Sequence, residues 1–484
     1  MSKTKNYIID YIKEFLTTKA WIYIVLILVL YFLYKTILTQ GVVYSFGLSF
    51  FPISLAIIIL LFIYPEKGFY PLFASHFIIL IISRNINMPL GGFILLFNFI
   101  ILLLLLIYSI YKKTNWKNSR NLMLLLYCIW GIFCILEILN PNNVQEAWNI
   151  AFSQYVVYPV LCAILIPISI KKTNNINWLL IIWSLFILYA SFKGYWQKNY
   201  GFNEREQYFL FVEGGEKTHI IWSGIRYFSV FTDAANYGVH MGMAIVVFGI
   251  STFYIKQRWL KIYFVFVIAV AVYSMFISGT RAAIAVPVTG IAFFTILSRN
   301  MKSTIVGLFV LISFLIFFMF TTIGDSNRYI HRMRSAFTPT NDASYQVRQI
   351  NQQKMKLLMN EKPFGYGIGL GKGERFHPKE LMPFPPDSWL VNVWVESGVV
   401  GLSLYILIHC ILFAWCSWII MFKIMNKRLR GILTAWLSLC AGFFVAAYAN
   451  DVMQYPNSIV FYSGFALCVI GPLLDKEIDF PQIT

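Results

Sequence analysis

Apolar runs long enough to cross a bilayer recur along this chain, and they confine it to one class of fold. Trp21–Leu38, Phe93–Tyr111 and Ile150–Ile170 each hold at most one charged residue. A helix of about 20 residues spans a hydrocarbon core ~30 Å thick. Inside lipid every peptide group must find its partner within its own segment, so such runs are read as helices. Composition points the same way: of 484 residues, 59% are hydrophobic and 12% charged, about half the charge of a soluble domain.

Hydropathy marks roughly fourteen segments. They run Trp21–Leu38, Ser49–Tyr64, Phe69–Ile82, Phe93–Tyr111, Leu122–Leu139, Ile150–Ile170 and Trp178–Phe192, then Ala235–Tyr254, Leu260–Ile277, Ala282–Leu297, Thr304–Thr321, Val399–Met421, Ile432–Ala449 and Ile459–Leu473. Phe69–Ile82 is short enough to be tilted, re-entrant or miscounted as a span. The expected fold is an all-α polytopic membrane protein with roughly 12–14 transmembrane helices and a large outer loop that contains a helix. The boundaries expected are N-terminal helices over 1–192, an outer loop over 193–234, and helices over 235–322. A large loop over 323–388, helices over 389–474 and a tail over 475–484 complete the chain.

Loop charges set the orientation. Lys112, Lys113, Lys117 and Arg120, then Lys171 and Lys172, then Lys256, Arg258 and Lys261 fall on alternate connections, as do Arg299 and Lys302 and the group Lys423, Lys427, Arg428 and Arg430. The intervening short loops, such as Glu137–Glu146 and Ala449–Asn457, are neutral or acidic. The excess of Lys and Arg on cytoplasmic loops then places both termini in the cytoplasm. This bias also accounts for the net charge of +18. Without a basic helix pattern or zinc-finger spacing, nucleic acid is rejected as a partner. Met1–Ala20 is polar and basic and lacks a cleavage site, so it is not read as a signal peptide. All seven cysteines lie in expected spans, so no disulfide or thiolate metal site is expected.

Two outer connections are long, and loops of that length are usually functional. The larger, Asp325–Asp387, holds ten cations against six carboxylates. Such a surface beside a bilayer attracts an anionic headgroup or a diphosphate, although a solvated loop with generic lipid affinity is the blander reading. Within it Ser344–Asn360 has helical periodicity, with Val347, Ile350, Met355 and Leu358 on one side. A run of alternate glycines follows, Gly365 to Gly373, which suits tight turning or close approach to a ligand.

Arginines at the ends of spans carry more information. Arg226 precedes one span and is followed by Asp233; Arg281 sits in the tight connection Ser278–Ala283. Guanidinium groups at that depth are costly unless paired or facing a polar cavity, and their planar fork suits phosphate oxygens. The alternative is a snorkelling side chain paired with lipid phosphate or with Asp233. Asp387, in Pro386–Gly398, is either a general base at the mouth of the loop or simply a helix cap, with Glu396 two to three turns deeper. Among the histidines His377 is the spare acid or base; His76, His240 and His409 read as satisfied polar groups within the bundle. No metal-binding spacing and no phosphate-binding glycine-lysine loop is present, so no cofactor is expected.

These pieces, in this order, resemble the bacterial O-antigen ligase and O-antigen polymerase superfamily. The resemblance covers roughly Arg226 to Gly401 and rests on four pieces. They are Arg226 with its Phe- and Asn-containing sequel; Ser278-Gly279-Thr280-Arg281; Arg348 ahead of Lys362-Pro363-Phe364-Gly365-Tyr366-Gly367-Ile368-Gly369; and Asp387-Ser388-Trp389-Leu390 leading to Glu396-Ser397-Gly398-Val399-Val400-Gly401. The family usually carries a His-Asn or His-Ser pair where this chain has Asp387-Ser388. Its histidine is thought to activate the acceptor hydroxyl, so the resemblance passes that role to Asp387 or His377, or the base differs in this branch. The resemblance further implies a bacterial inner (cytoplasmic) membrane enzyme, of lipopolysaccharide or exopolysaccharide assembly, acting on the periplasmic side. Its donor would be an undecaprenyl-pyrophosphate-linked glycan and its acceptor a lipid- or glycan-linked hydroxyl. Arg226, Arg281 and Arg348 would stabilise the departing diphosphate without a metal, with inversion at the sugar carbon. Asp233, Glu396 and Trp389 would support the site, Trp389 and Trp394 by stacking on sugars. A lipid-linked oligosaccharide flippase and a non-catalytic partner of a polysaccharide assembly complex are the competing readings.

Overall fold

A computed structural model describes residues 31, 35, 59, 61, 63–85, 91–111, 116–221, 224–337 and 343–479. The spans expected at Trp21–Leu38 and Ser49–Tyr64 lie almost wholly outside these residues, as do Lys112 and Lys113. The chain divides into Met1–Pro65 and Glu66–Thr484, and everything below concerns the second unit.

It is a helical membrane protein. Fourteen of the helices among the described residues organise the unit: α1 (Phe69–Asn85), α2 (Gly91–Tyr111), α3 (Leu122–Leu136), α4 (Gln145–Ser169), α5 (Thr173–Tyr200), α6 (Ala234–Tyr254), α7 (Arg258–Ile277), α8 (Ala282–Leu297), α9 (Met301–Phe320), α10 (Arg328–Arg334), α11 (Ala343–Met359), α12 (Trp389–Trp418), α13 (Lys427–Ala449) and α14 (Asn457–Val469). Nine helices among the described residues are long and apolar enough to cross a membrane, and α8 and α14 are shorter apolar helices. The only sheet among the described residues is a two-stranded hairpin, Ile220–Ile221 with Gly224–Ile225.

The core lies around α13, which packs against α6, α8 and α14. Trp183, Trp436, Phe248 and Phe264 are fully enclosed there. Between helices in lipid, apolar burial provides little drive, so close packing and interhelical hydrogen bonds hold the bundle. Gly442 of α13 lies directly against the carbonyl of Val286 on α8, an approach that any side chain would prevent. At the periphery, α9 turns Ile305, Phe309, Ile312, Ile316 and Phe320 outward, as a lipid-facing helix should.

A directional chain of hydrogen bonds threads this core. Trp183 Nε1 donates to His240 Nε2 at 2.8 Å, and His240 Nδ1 meets Asn457 Oδ1 at 2.7 Å. Asn457 Nδ2 donates to Asn236 Oδ1 at 2.9 Å, and Asn236 Nδ2 donates to Asp233 Oδ2 at 2.7 Å. The Trp183 donor leaves His240 Nε2 as acceptor, which fixes the neutral tautomer. His409 is also partnered on both nitrogens, by Tyr127 OH and the carbonyl of Tyr405. Among the described residues His76 uses only Nδ1, on the carbonyl of Leu72.

Candidate functional site

The polar chain surfaces where several helix ends meet. The N-termini of α6 and α8, the approach to α12 and the loop after α13 surround a cavity of about 1290 Å³. Seven cationic side chains line it (Lys217, Arg226, Arg281, Arg328, Arg332, Arg348 and Lys372) against three carboxylates, Asp233, Asp387 and Asp451. Below the charged groups Ile284, Ala285 and Val288 of α8 form an apolar wall.

Arg226 is delivered by the small hairpin. Its amide donates to the carbonyl of His219 at 2.8 Å, extending the strand pairing by one residue. Its guanidinium donates to Thr280 Oγ1 at 2.8 Å and to the carbonyl of Thr218 at 3.1 Å. Asp233 is not its hydrogen-bonding partner: that carboxylate caps α6, accepting from the amides of Ala235 and Asn236 and from the side chain of Asn236. A residue outside the sequence-level set braces the whole segment. Arg84 at the end of α1 donates to the carbonyls of Phe231 and Thr232, with its guanidinium 4.3 Å from the ring centre of Phe209 and 4.7 Å from that of Phe228.

Arg281 stands at the N-terminus of α8, just after Gly279, whose φ of +57° suits glycine. It reaches to within 3.4 Å of Ser335 Oγ, at the end of α10. The 16-residue α8 therefore opens at the cavity with its positive end.

The cations feel one another. Burial first, and then Arg281 and Arg348, lower Arg226 to about 10 against the opposing effect of Asp233. Arg332 falls to about 9 through burial and the charges of Arg226 and Arg281. Burial, then Arg348, also lowers Arg281. All stay protonated at neutral pH, so the cavity holds crowded, partly desolvated positive charge. A multivalent anion would relieve that repulsion.

The opposite side is balanced. Arg348, on α11, donates to the carbonyl of Ala449 at 2.8 Å and lies 3.8 Å from Asp387 Oδ2. Ser388, not Asp387, caps α12, its Oγ accepting from the amide of Val391 at 3.2 Å. Lys372 meets Asp451 at 2.8 Å. Burial pulls the Lys372 ammonium down, but Asp451, then Asp233 and Asp387, more than offset it and leave it above its ordinary value.

Two of the sequence motifs interlock beneath this cavity. Helix α12 breaks at Gly398, whose φ is +66°, and the carbonyls of Val395 and Glu396 accept from the amides of Tyr366 and Gly367 at 2.8 and 3.0 Å. The amide of Val400 returns the bond to Pro363. Glu396 is buried and accepts from Tyr155 OH at 2.8 Å, Asn392 Nδ2 at 2.8 Å and the amide of Gly371 at 3.2 Å. It thus fixes the glycine-rich segment that ends in Lys372. Tyr155 and Gln154 come from the π-helical turn Ser153–Val157 within α4, and Gln154 reaches the carbonyl of Met453.

Of the residues singled out from sequence, Arg226, Arg281, Arg348, Asp387 and Asp233 converge on the cavity. Three do not. His377 ends the short turn Glu374–Phe376 in a left-handed conformation and does not line the cavity. Glu396 works from behind, as described. Trp389 is buried, its Nε1 on Tyr405 OH at 3.1 Å and its ring 5.0 Å from Tyr155, so its faces are occupied by the protein. Arg332, Lys372 and Asp451 are cavity residues that sequence reading did not single out. The first two lay among ten loop cations with nothing to rank them; Asp451 had no motif around it. Among the described residues, no group of three or more His, Cys, Asp or Glu could hold a metal ion.

No curated protein matches the chain. Residues 264–406 match the family model described as O-antigen ligase, a stretch that contains Arg281, Arg332, Arg348, Lys372, Asp387 and Glu396 but neither Arg226 nor Asp451. Over that stretch the chain is similar to the O-antigen ligase family.

Proposed function

We propose that this protein transfers a glycan from a polyprenyl-diphosphate carrier, undecaprenyl pyrophosphate by the family resemblance, to an acceptor hydroxyl. The observation that carries this reading is the cavity's division into crowded guanidinium groups at its rim and an apolar wall along α8. An amphiphile with a diphosphate head and a prenyl tail has that same division of charge and apolar surface. Arg226, Arg281 and Arg332 hold the diphosphate together with the N-terminus of α8. Their preorganised charge stabilises the leaving group as the sugar–oxygen bond breaks. Attack by the acceptor from the opposite face inverts the sugar carbon. The cavity faces the periplasm if the loop charges set the orientation, and the inner membrane is the corresponding location. A flippase would place charged groups along its spans; here they gather at the ends of helices around one cavity.

Deleting the gene in the native host tests this reading, with lipid-linked and acceptor-linked glycans compared by gel and mass spectrometry. Long glycan stranded on the carrier identifies a ligase; single repeats on the acceptor identify a polymerase. Arg281→Ala in the complementing gene should reproduce either defect. Unchanged glycan pools in the deletion strain would sink the transferase reading.

A further inference from the structure

We propose that Asp451, in the loop between α13 and α14, is the general base of this transfer, with one carboxylate oxygen held by Lys372 and the other reserved for the acceptor hydroxyl. The inference rests on the transferase reading above. Lys372 Nζ lies 2.8 Å from Asp451 Oδ2, while Asp451 Oδ1 is buried and has no hydrogen-bond partner among the described residues. A buried carboxylate oxygen without a donor is costly, and such a group on a cavity wall is where a donor is expected to arrive.

The loop is held far more firmly than a connection of its length requires. Five successive carbonyls each accept a hydrogen bond from outside or across the loop. Ala449 receives Arg348, Asn450 receives the amide of Trp389, Asp451 receives Asn236, Val452 receives Asn457 and Met453 receives Gln154. Gln454 adds a side-chain bond from Thr232 at 2.9 Å. Donors from α4, α6, α11, α12 and α14 thus fix one short segment. Such fixing suits a group that must meet a reacting atom within a fraction of an ångström.

The other candidates are committed elsewhere. Asp233 spends both oxygens on the start of α6 and on Thr232. The Asp387 side chain is 42% exposed and lies beside Arg348, where water competes for it. His219 Nε2 accepts from the amide of Ala234, and the side chain of His331 is 73% exposed. Asp451 is only 15% exposed.

In the step itself, the acceptor oxygen bonds to the anomeric carbon as its proton passes to Asp451 Oδ1. The bond from that carbon to the diphosphate oxygen breaks, and its electron pair leaves on the diphosphate, among the arginines. The proton then passes from Asp451 to water or to the released diphosphate, restoring the carboxylate. Lys372 holds Asp451 Oδ2 and so orients the carboxylate towards the hydroxyl.

The test uses the full chain, with Asp451→Asn and Asp451→Glu variants beside the native protein. Acceptor-linked glycan is measured after complementation of the deletion strain, and farnesyl diphosphate binding is measured on purified protein in nanodiscs. Asp451→Asn should lower transfer by about 100-fold or more. Farnesyl diphosphate should bind as tightly as to the native protein or tighter, because a negative charge has left the cavity. Asp451→Glu should keep part of the activity. A smaller fall in Asp451→Asn overturns the assignment, and so does joint loss of transfer and farnesyl diphosphate binding, which would make Asp451 a structural prop. If the native protein binds no farnesyl diphosphate and deletion leaves the glycan pools unchanged, the transferase reading fails and the assignment falls with it.

Discussion

Arg226 donates to the hydroxyl of Thr280 across 2.8 Å, and the same hydroxyl donates to the carbonyl of Ala234 at 2.9 Å. One small side chain therefore joins the hairpin that carries Arg226, the turn that carries Arg281 and the first residue of α6. Thr280→Val keeps the shape and removes both bonds. We expect farnesyl diphosphate affinity to fall by roughly tenfold, about 1.4 kcal/mol. Thr280→Ser should restore it. Isothermal titration of the two variants decides; equal affinity in both would show that the hydroxyl does not orient Arg226.

Crowded cations predict a salt signature. Exposed charges are screened over about 10 Å at 0.1 M salt, and the cavity is open to solvent at its charged rim. Farnesyl diphosphate binding should weaken by about tenfold when salt rises from about 0.05 to about 0.5 M. Arg332→Ala should weaken binding at low salt and flatten that dependence, since Arg332 shares the repulsion with Arg226 and Arg281. Arg332→Lys should recover only part of the affinity, because an ammonium lacks the planar fork. Binding indifferent to salt would contradict the electrostatic picture.

Gly398 joins the two motifs beneath the site. A methyl group there would collide with the carbonyl of Pro363, at a φ of +66° that an L-residue resists. Gly398→Ala should cost at least about 2 kcal/mol and lower the unfolding temperature of the protein in detergent. Glu396→Ala should do similar damage by orphaning the donors Tyr155, Asn392 and Gly371. Wild-type unfolding temperatures in both variants would mean that the interlock is dispensable.

How far the sequence could be read follows the range of each signal. A membrane span announces itself within its own twenty residues, so each segment expected beyond Glu66 coincides with a helix. Arg226 and Arg281 were legible because a guanidinium at the end of an apolar segment demands a reason, whereas Arg348 was singled out only through the family resemblance. The glycines at 365, 367 and 369 do adopt positive φ, as their spacing suggested, but nothing local says that they wrap the break in α12. His377 looked available because loop histidines usually are; its place depends on how the large loop folds back. Asp451 was the hardest to see. It is one acid in a short loop, and its meaning comes from Lys372, 79 residues away in sequence, and from partners of its loop as far as 299 residues away. Ser388 also relieved Asp387 of capping, a choice between neighbours that spacing alone does not make.

A last prediction concerns pH. His219 lies outside the spans, buried beneath the hairpin, where its Nδ1 meets the carbonyl of Gly215 at 2.8 Å and its Nε2 accepts from the amide of Ala234 at 3.2 Å. Only the neutral ring can do both. Burial is the main cause that lowers its pKa from 6.5 to about 4, helped by Arg226 and Arg84 and opposed by Gly215 and Asp233. The folded state therefore binds a proton less readily than the unfolded chain. Above pH 6.5 both states are neutral here and the full stability is present; as pH falls towards about 4 the unfolded state gains a proton that the folded state refuses. Stability should drop through that window by at most about 3 kcal/mol from this residue, and then level off. His219→Gln, which cannot take up the proton, should flatten the fall in unfolding temperature between pH 7 and pH 5. If the variant and the native protein lose stability in parallel, the acid sensitivity belongs to another group.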